Sequence, residues 1–257
     1  TNLDNVSGGV NFKIAERLGL KNVRVLAPKS GLLRKLVTFV PLGSLEAVKS
    51  ALFDAGAGTI GKYDSCAFSS EGEGSYRAME GANPTLGEIG KVHYEKELRL
   101  EVIFNTANED KVISALKSSH PYEEVAYDIL LLQNKHQEIG SGIIGELEAP
   151  ADTMEFLKSL KVMLNTKCVR YTHVASEKAY RIAVCGGSGS FLLNTAISAA
   201  ADVFVTADFK YHEFFDAENK LTIADVGHYE SEQFTKDLIK EILQKKIPNF
   251  ATHLSQV

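Results

Sequence analysis

The chain has 257 residues and a formal net charge of −5, with 28 Lys and Arg against 33 Asp and Glu. That length allows one large domain or two ordinary ones, and 44% hydrophobic with 24% charged residues is typical of a folded globular protein. The acidic balance, with no dense run of Lys and Arg, argues against nucleic acid as a partner. No apolar run approaches the ~20 residues that cross a bilayer, so we expect no membrane-spanning segment.

The cysteines indicate a reducing compartment. Cys66, Cys168 and Cys185 are odd in number, widely spaced and outside any C-x-x-C pair. This usage predicts reduced, mostly structural thiols in a cytoplasmic protein.

Residues 1–35 predict the remainder of an α/β half whose amino-terminal part is missing. The chain has no initiator Met and begins as if it were leaving a strand. The apolar spacing then predicts a helix from Val10 to Leu18 that ends at Gly19, with Ser7 or Asn5 as its N-cap.

Residues 36–133 predict a self-contained unit. Apolar residues alternate with charged ones from Leu98 to Phe104, which is the period of a half-buried strand. The predicted elements are a strand from Leu36, a helix capped by Ser44, a strand through Phe68, the strand Leu98–Phe104, a helix over Val112–Leu116 and a strand Val125–Leu132. This β-α-β-β-α-β order is typical of a ferredoxin-like split sandwich. Because both flanking pieces resemble parts of a larger α/β domain, we expect an inserted domain.

Two motifs of this unit are singled out. Glu71-Gly-Glu-Gly-Ser75, together with Gly81-Ala-Asn-Pro84, predicts a turn-rich excursion. His120-Pro-Tyr-Glu-Glu124 ends the second helix, because the residue before a proline avoids the helical region. The alternative for the second motif is an interface formed by Tyr122 and Glu123.

Residues 134–257 predict a second α/β half. Pro150 and Asp152 open a helix, and Cys168-Val-Arg-Tyr171 predicts a short strand. Arg181–Cys185 is strand-like, and Gly186-Gly-Ser-Gly-Ser190 joins it to an apolar helix over 191–200. Such a loop can cradle an anion on backbone N–H groups, but tight strand-to-helix turns also use glycine for steric reasons. It matches neither the dinucleotide-binding motif nor the P-loop.

Polar side chains follow two consecutive predicted strands near the end of the chain. The strand Asp202–Ala207 delivers Asp208, Lys210 and His212 to its carboxyl end, where open α/β sheets place their chemistry.

The next strand leads into a helix that begins with a second polar group. His228 and Glu232 are four residues apart, so a helix puts both on one face. With Asp225 just upstream, they suit a divalent zinc, manganese or iron ion. The alternative is an exposed His and Glu at a helix start, where the helix dipole favours acids.

Several ordered motifs resemble those of one protein family over essentially the whole chain. They are Thr1-Asn-Leu-Asp…Gly-Gly-Val-Asn, Gly56-Ala-Gly…Ile60-Gly-Lys-Tyr-Asp-Ser-Cys-Ala-Phe, His120-Pro-Tyr-Glu-Glu-Val-Ala-Tyr-Asp, Cys185-Gly-Gly-Ser-Gly-Ser, Thr206-Ala-Asp-Phe-Lys-Tyr-His and Gly227-His-Tyr-Glu-Ser-Glu. The chain is similar to the GTP cyclohydrolase 1 type 2 homologues, also called NGG-interacting-factor-three-like proteins. It resembles the longer bacterial type, in which a CutA/PII-like domain is inserted between two related α/β halves.

The resemblance implies a pair of divalent metal ions in each intact subunit. Carried over by motif, the ligands in this chain are Asp4, His228 and Glu232, with Glu232 placed to bridge both ions. The family also uses a His-His pair from the amino-terminal region, which this chain lacks, so two-metal occupancy is in question here.

The resemblance further implies a cytoplasmic two-metal hydrolase that opens the ring of a purine nucleotide such as GTP. Asp208, Lys210 and His212 are then candidates to bind substrate or carry a proton, although Lys210 and His212 also suit packing beneath the site. The alternative is a metal-dependent regulatory or interaction protein without catalysis. In either case the resemblance implies a homo-oligomer, a hexamer built as a trimer of dimers.

Overall fold

A computed structural model describes residues 3–254. Its strands, in chain order, are β1 (Lys21–Pro28), β2 (Leu33–Pro41), β3 (Ala67–Arg77), β4 (Val92–Asn105), β5 (Tyr127–Leu132), β6 (Gly140–Asp152), β7 (Arg170–Tyr171), β8 (Lys178–Ser188), β9 (Val203–Ala207) and β10 (Thr222–Asp225). Its α-helices are α1 (Val10–Arg17), α2 (Leu45–Asp54), α3 (Glu109–Ser119), α4 (Thr153–Met163), α5 (Leu193–Ser198), α6 (His228–Glu232) and α7 (Thr235–Lys246). The chain divides into two compact units, Thr1–Lys29 with Gln137–Val257, and Ser30–His136.

The first unit is built on a six-stranded mixed sheet. Its strand order is β1-β6-β8-β9-β10-β7, in which β8, β9 and β10 are parallel and the other neighbours are antiparallel. Every residue of β9 and of β10 is buried. This is expected for parallel strands covered on both faces, and their continuous apolar runs reflect it.

Alternating residues of the central strands feed two hydrophobic cores, one on each face of this sheet. Ile182 and Val184 of β8 pack with α1, α4 and α7, in the core that contains Ile14, Leu160 and Leu238. Ala183 and Cys185 pack on the opposite face, in the core that contains Leu193, Ala196 and Phe204. The unit therefore has three layers, with the sheet between helices.

The amino-terminal helix begins later than its predicted caps. Gly9 is the N-cap of α1, and no side chain caps that end, so the predictions of Ser7 and Asn5 were wrong. A side chain on Gly9 would overlap the carbonyl oxygen of Leu3. The predicted end is correct, since Gly19 adopts the left-handed conformation with φ +69°.

The predicted glycine loop after β8 is partly strand. Gly186 and Gly187 continue β8, which ends at Ser188. The following segment is a 3-10 turn, Ser190–Leu192, and the short helix α5, instead of one helix over 191–200. Asp152 behaves as predicted, because its carboxylate caps α4 by accepting the Glu155 N–H at 3.1 Å.

The second unit has the element order β2-α2-β3-β4-α3-β5, which is the order predicted for residues 36–133. Its sheet runs β3-β4-β2-β5, and all neighbouring strands are antiparallel. Leu36, Leu100 and Phe104 pack against Leu52 and Leu116 of the two helices to form its core. The turn prediction for Glu71–Ser75 was wrong, since these residues lie inside β3 and pair with β4.

The two crossings of the chain between the units start from neighbouring strands of the first unit. The chain leaves this sheet after β1 and returns to it at β6, and the two strands pair antiparallel there, with Pro28 opposite Gly140. One residue farther along, the Lys29 N–H donates to the Ile139 carbonyl at 2.9 Å. The outgoing and returning segments are therefore hydrogen-bonded neighbours.

His120, which ends α3, is a buried histidine held in its neutral form. Its Nε2 lies 2.9 Å from the Phe39 carbonyl, and its Nδ1 accepts the Tyr122 N–H at 3.1 Å. Since Nδ1 is an acceptor, Nε2 carries the proton. Burial lowers the pKa of His120, and the hydrogen bond to Phe39 and the charge of Glu97 offset part of this effect.

We expect the second unit to lose stability when the pH falls below about 6.5, the ordinary pKa of histidine. Below that pH the unfolded chain binds a proton that folded His120, with its lowered pKa, does not bind, so protonation favours unfolding. The loss stops once the pH passes below the folded-state pKa. Urea titrations between pH 5 and 8, with exchange of α3 amides as the readout, should show this slope.

The matched variants are His120→Gln, which should lack this component of the slope, and His173→Gln, an exposed histidine of the first unit, which should keep it. An unchanged slope in His120→Gln would show that another group is responsible.

Within residues 3–254, none of the helices is long and apolar enough to cross a membrane.

Candidate functional site

The predicted polar residues meet where β9 and β10 end side by side. These parallel strands pair in register up to Thr206 opposite Asp225. Asp208 follows β9 in a left-handed backbone conformation, with φ +58°. His228 opens α6 after Gly227, the N-cap, whose φ of +94° favours glycine.

Asp208, His228 and Glu232 form a connected group. The Nδ1 atom of His228 lies 2.5 Å from an Asp208 carboxylate oxygen, and its Nε2 atom lies 3.4 Å from a Glu232 carboxylate oxygen. The hydrogen bond that His228 donates to Asp208 raises the pKa of His228, burial lowers it, and the charges of Asp208 and Glu232 add to the increase. The His228 side chain is 53% exposed, so solvent reaches this group.

The floor beneath this group is the end of β8. A Cβ atom on Gly187 would lie 2.6 Å from a Glu232 carboxylate oxygen and 3.2 Å from Cε1 of His228. Gly187 also has φ +64°, so both its backbone and its neighbours require glycine. Glu232 and His228 therefore rest directly on the β8 backbone.

Two backbone N–H groups of the predicted anion loop are already bonded. The Gly186 N–H donates to the side-chain oxygen of Asn11 at 2.8 Å, and the Gly187 N–H donates to the hydroxyl of Ser231 at 2.9 Å. The hydroxyl of Ser231 donates in turn to the His228 carbonyl at 2.8 Å. These N–H groups position the floor of the site, and neither is open to an anion.

Asp4 lies on a 3-10 turn, Leu3–Asn5, close to the same floor. Its carbonyl accepts from the Asn11 amide at 2.8 Å, and Asn11 thereby links Asp4 to Gly186. Burial raises the pKa of the Cys185 thiol to about 12, and the charges of Asp4 and Glu232 contribute to this shift. Asp4 and Glu232, two of the predicted ligands, are therefore both close enough to the Cys185 thiol to raise its pKa.

Asp225, grouped above with the metal ligands, has a structural role. It is 3% exposed, and its carboxylate accepts the backbone N–H groups of Phe209 and Gly227, each at 3.1 Å, together with a short ion pair from Arg170. Arg170 also donates to the Phe209 carbonyl at 3.2 Å. Asp225 therefore ties together the two segments that present Asp208 and His228.

Lys210 and His212 are exposed and lie beyond Asp208 on the same segment. The backbone N–H of Lys210 donates to the carboxylate of Glu213 at 2.9 Å. His212 opens a 3-10 helix, His212–Ala217, and its ring packs against that of Tyr211, with centroids 5.2 Å apart. Both side chains face solvent instead of packing in the interior.

The donor set suits part of a metal site. A histidine that binds a metal usually donates its other ring N–H to a carboxylate, as His228 does to Asp208, and the opposite nitrogen then serves as the ligand. Over residues 3–254, however, no group of three or more His, Cys, Asp or Glu side chains is arranged to hold a metal ion. His228 and Glu232 thus supply two donors on one face, fewer than a metal site normally uses.

Asn11, Ser231 and Arg170 were missed by the sequence reasoning. Each makes a contact with a residue far away in the chain, such as Asn11 with Gly186 and Arg170 with Asp225. Ser231 lies within the Gly-His-Tyr-Glu-Ser-Glu motif, and that position was the available signal.

Comparison with known proteins identifies relatives along the whole chain. It is 41% identical over 249 residues to the GTP cyclohydrolase 1 type 2 homolog of Bacillus subtilis (strain 168), covering 96% of this chain and 65% of that protein. The crystal structure of a Bacillus cereus protein related to NIF3 matches with a TM-score of 0.82 and 40% identity, over 96% of this chain and 66% of that one. A Staphylococcus aureus structure matches with a TM-score of 0.69 and 27% identity, over 97% and 66%.

The chain spans about two thirds of the length of these relatives. The model of one family, described as Duf34/NIF3 (NGG1p interacting factor 3), matches residues 1–257. With its mixed α/β fold, its two sheets and these relatives, the chain belongs to the Duf34/NIF3 family.

Proposed function

We propose that this chain contributes His228, Glu232 and Asp4 to a divalent metal centre of a hydrolase acting on a nucleotide. The observation that carries the proposal is the Asp208–His228 hydrogen bond of 2.5 Å, which directs the opposite ring nitrogen toward Glu232. Zinc, manganese and iron suit this mixture of nitrogen and oxygen donors. The nucleotide class follows the name of the relatives, GTP cyclohydrolase 1 type 2 homolog.

A pair of bound metal ions would supply activated water for hydrolysis. The chain's own residues then have separable tasks. Asp208 orients the imidazole of His228 and holds the proton on Nδ1, so it is a positioning residue. Lys210 and His212 are exposed on the segment after Asp208, where they are candidates to bind a phosphate or carry a proton.

The proposal requires more ligands than His228 and Glu232. Metal centres in enzymes usually have three or more protein ligands, and the described residues hold no such group. We propose that further ligands come from the part of the longer relatives that this chain does not span, and that Asp4 completes the set. We further propose that the second unit is a CutA/PII-like domain and that it supports assembly of the protein into a cytoplasmic homohexamer.

Replacing Asp208 by asparagine should weaken zinc binding about 10–100-fold, because an amide cannot hold the Nδ1 proton as a carboxylate does. His228→Ala should abolish binding at the same site, since it removes a donor. Calorimetric zinc titration, on this chain and on a longer form with the additional sequence of its relatives, measures both effects.

Asp216→Asn is the matched control, since Asp216 is an exposed carboxylate of the same unit. In the longer form, equal zinc affinity with and without the His228→Ala substitution would rule the centre out.

A second function is favoured by the incomplete donor set within residues 3–254. In this alternative, the metal stabilises an oligomeric regulatory or interaction protein, and no reaction occurs. Steady-state turnover of GTP by Glu232→Ala in the longer form separates the two. Unchanged turnover with intact assembly would eliminate the enzyme, whereas lost turnover with intact assembly would eliminate the alternative.

A further inference from the structure

The second unit contains a pocket of about 570 Å³ on the face of its sheet that is turned away from the hydrophobic core. Its lining comes entirely from the Ser30–His136 unit and includes Gly72, Gly74 and Tyr76 of β3, and Glu97 of β4. Gly72 and Glu97 are paired neighbours, and Glu97 alternates with the core residues Leu98 and Leu100. The pocket is therefore separate from the site around His228.

Glycines at alternate positions of β3 leave room for this pocket. Residues two apart on a strand share a face, so at Gly72 and Gly74 the strand β3 itself contributes no side chain to this face. A Cβ atom on Gly74 would overlap the Glu97 carboxylate, which occupies that space. A Cβ atom on Gly72 would meet only the Glu97 carbonyl, at 4.0 Å. The motif Glu71–Ser75 thus forms a trough.

Aromatic rings form the walls of the trough. The rings of Tyr76 and Tyr122 lie with centroids 6.2 Å apart and tilted by 59°, and Phe39 also lines the pocket. Tyr122 is held in place by His120, which accepts its N–H and packs edge-on against its ring at 5.0 Å. The motif His120–Glu124 therefore supplies the second wall.

The lining is negative. On its face of the sheet it carries the carboxylates of Glu97, Glu123 and Glu124 and the guanidinium of Arg99. Glu71 and Glu73 also line the pocket, but they alternate with Gly72 and Gly74, so their side chains project to the other face. Arg99 is paired with Glu101 at 2.9 Å, so its charge is already engaged. Burial raises the pKa of Tyr76, and the charges of Glu95 and Glu97 raise it further, which indicates a negative potential around its ring.

A buried hydroxyl in the wall lies beside a carboxylate of the same pocket. The Tyr122 hydroxyl is inaccessible to solvent and makes no hydrogen bond of ordinary geometry with any described residue. Burial raises the pKa of Tyr122, with the nearby Glu97 carboxylate as the next cause. The Tyr122 hydroxyl therefore faces the Glu97 carboxylate, which lines the same pocket.

We propose that this pocket binds a small organic cation, a compound that carries a protonated amine or a quaternary ammonium group. Aromatic faces attract such cations through their ring quadrupoles, and surrounding carboxylates add attraction and exclude anions. The volume falls within the range of small-molecule sites. A metal ion fits less well, since the described residues hold no group of three or more side chains arranged for one.

The test uses the 257-residue chain with choline and spermidine as cationic probes. The neutral probe is 3,3-dimethyl-1-butanol, which has the shape of choline without its charge, and Mg²⁺ serves as the inorganic cation. Calorimetry gives the affinity, and the same titration of a Tyr76→Phe variant shows whether this ring of the pocket contributes to it. We expect choline or spermidine to bind, and the neutral alcohol and Mg²⁺ to bind at least about tenfold more weakly.

Two variants and one control assign the binding to this pocket. Gly72→Val fills the trough at a position with open space and should abolish binding, and Glu97→Gln removes one charge and should weaken it about tenfold or more. Glu88→Gln changes an exposed carboxylate that pairs with Lys91 outside the pocket and should leave binding unchanged. Circular dichroism confirms that each variant folds.

The proposal is overturned if neither cation binds, if the neutral alcohol binds as tightly as choline, or if folded Gly72→Val and Glu97→Gln keep the original affinity.

Discussion

Replacing Asp225 by alanine is expected to lower the free energy of unfolding of the first unit by about 3 kcal/mol. The carboxylate is 3% exposed, and it accepts two backbone N–H groups, those of Phe209 and Gly227. Alanine would leave both donors without a partner, at a cost of about 1–3 kcal/mol each. The ion pair with Arg170 adds little, since the Arg170 side chain is more than half exposed and solvent screens it.

Urea unfolding followed by exchange of β9 and β10 amides measures this effect in the unit concerned. Arg170→Ala should cost less than Asp225→Ala, because the carboxylate keeps its two backbone partners. Asp216→Ala, at an exposed acid, should stay within about 0.5 kcal/mol of the unchanged chain. A loss below about 1 kcal/mol for Asp225→Ala would mean that the strand ends hold their geometry without it.

Replacing Gly187 by alanine is expected to remove metal binding while the chain remains folded. The left-handed backbone alone costs about 1–2 kcal/mol with an L side chain. The new Cβ atom would lie 2.6 Å from the Glu232 carboxylate, so that flexible side chain must move away from His228. Since Glu232 and His228 are the paired donors of the proposed centre, zinc affinity should fall by more than about 100-fold.

Gly19→Ala provides the matched control for this variant. Gly19 has φ +69°, close to that of Gly187, but a Cβ atom there meets nothing within 4 Å. Both variants should therefore lose similar stability from the backbone, and only Gly187→Ala should lose zinc. Thermal unfolding and zinc titration of the pair distinguish the two effects. Equal zinc affinity in the two variants would show that Glu232 does not need its position above β8.

Residue patterns were enough to predict the elements that carry the site. The continuous apolar run of β9 and the polar residues that follow β10 indicate buried parallel strands with chemistry at their ends, and Asp208 and His228 do meet there. The alternation from Leu98 to Phe104 likewise predicts a strand with one buried face, which β4 shows. These predictions succeed because the spacing of apolar residues along neighbouring positions shows which side chains are buried.

Contacts between distant parts of the chain could not be predicted in the same way. The Gly186 N–H is bonded to Asn11 and the Gly187 N–H to Ser231. Ser231 lies in a recognisable motif, but no local pattern shows which group either side chain bonds. The glycines of Glu71–Ser75 suggested a turn, because glycine is rare in strands, yet here they make space on a sheet surface. Asp225 stands just before the predicted ligands in the sequence, but its carboxylate is used to accept backbone N–H groups.

The hydrogen bond between Lys29 and Ile139, within the first unit, bears on how such chains change over evolution. Because Lys29 and Ile139 are already neighbours, as are Pro28 and Gly140, a short turn in place of Ser30–His136 would preserve the whole β1–β6 ladder. Insertions are tolerated where the two ends of a break lie close together at an element's end. A gene can therefore acquire, discard or exchange the second unit without altering the sheet that carries His228.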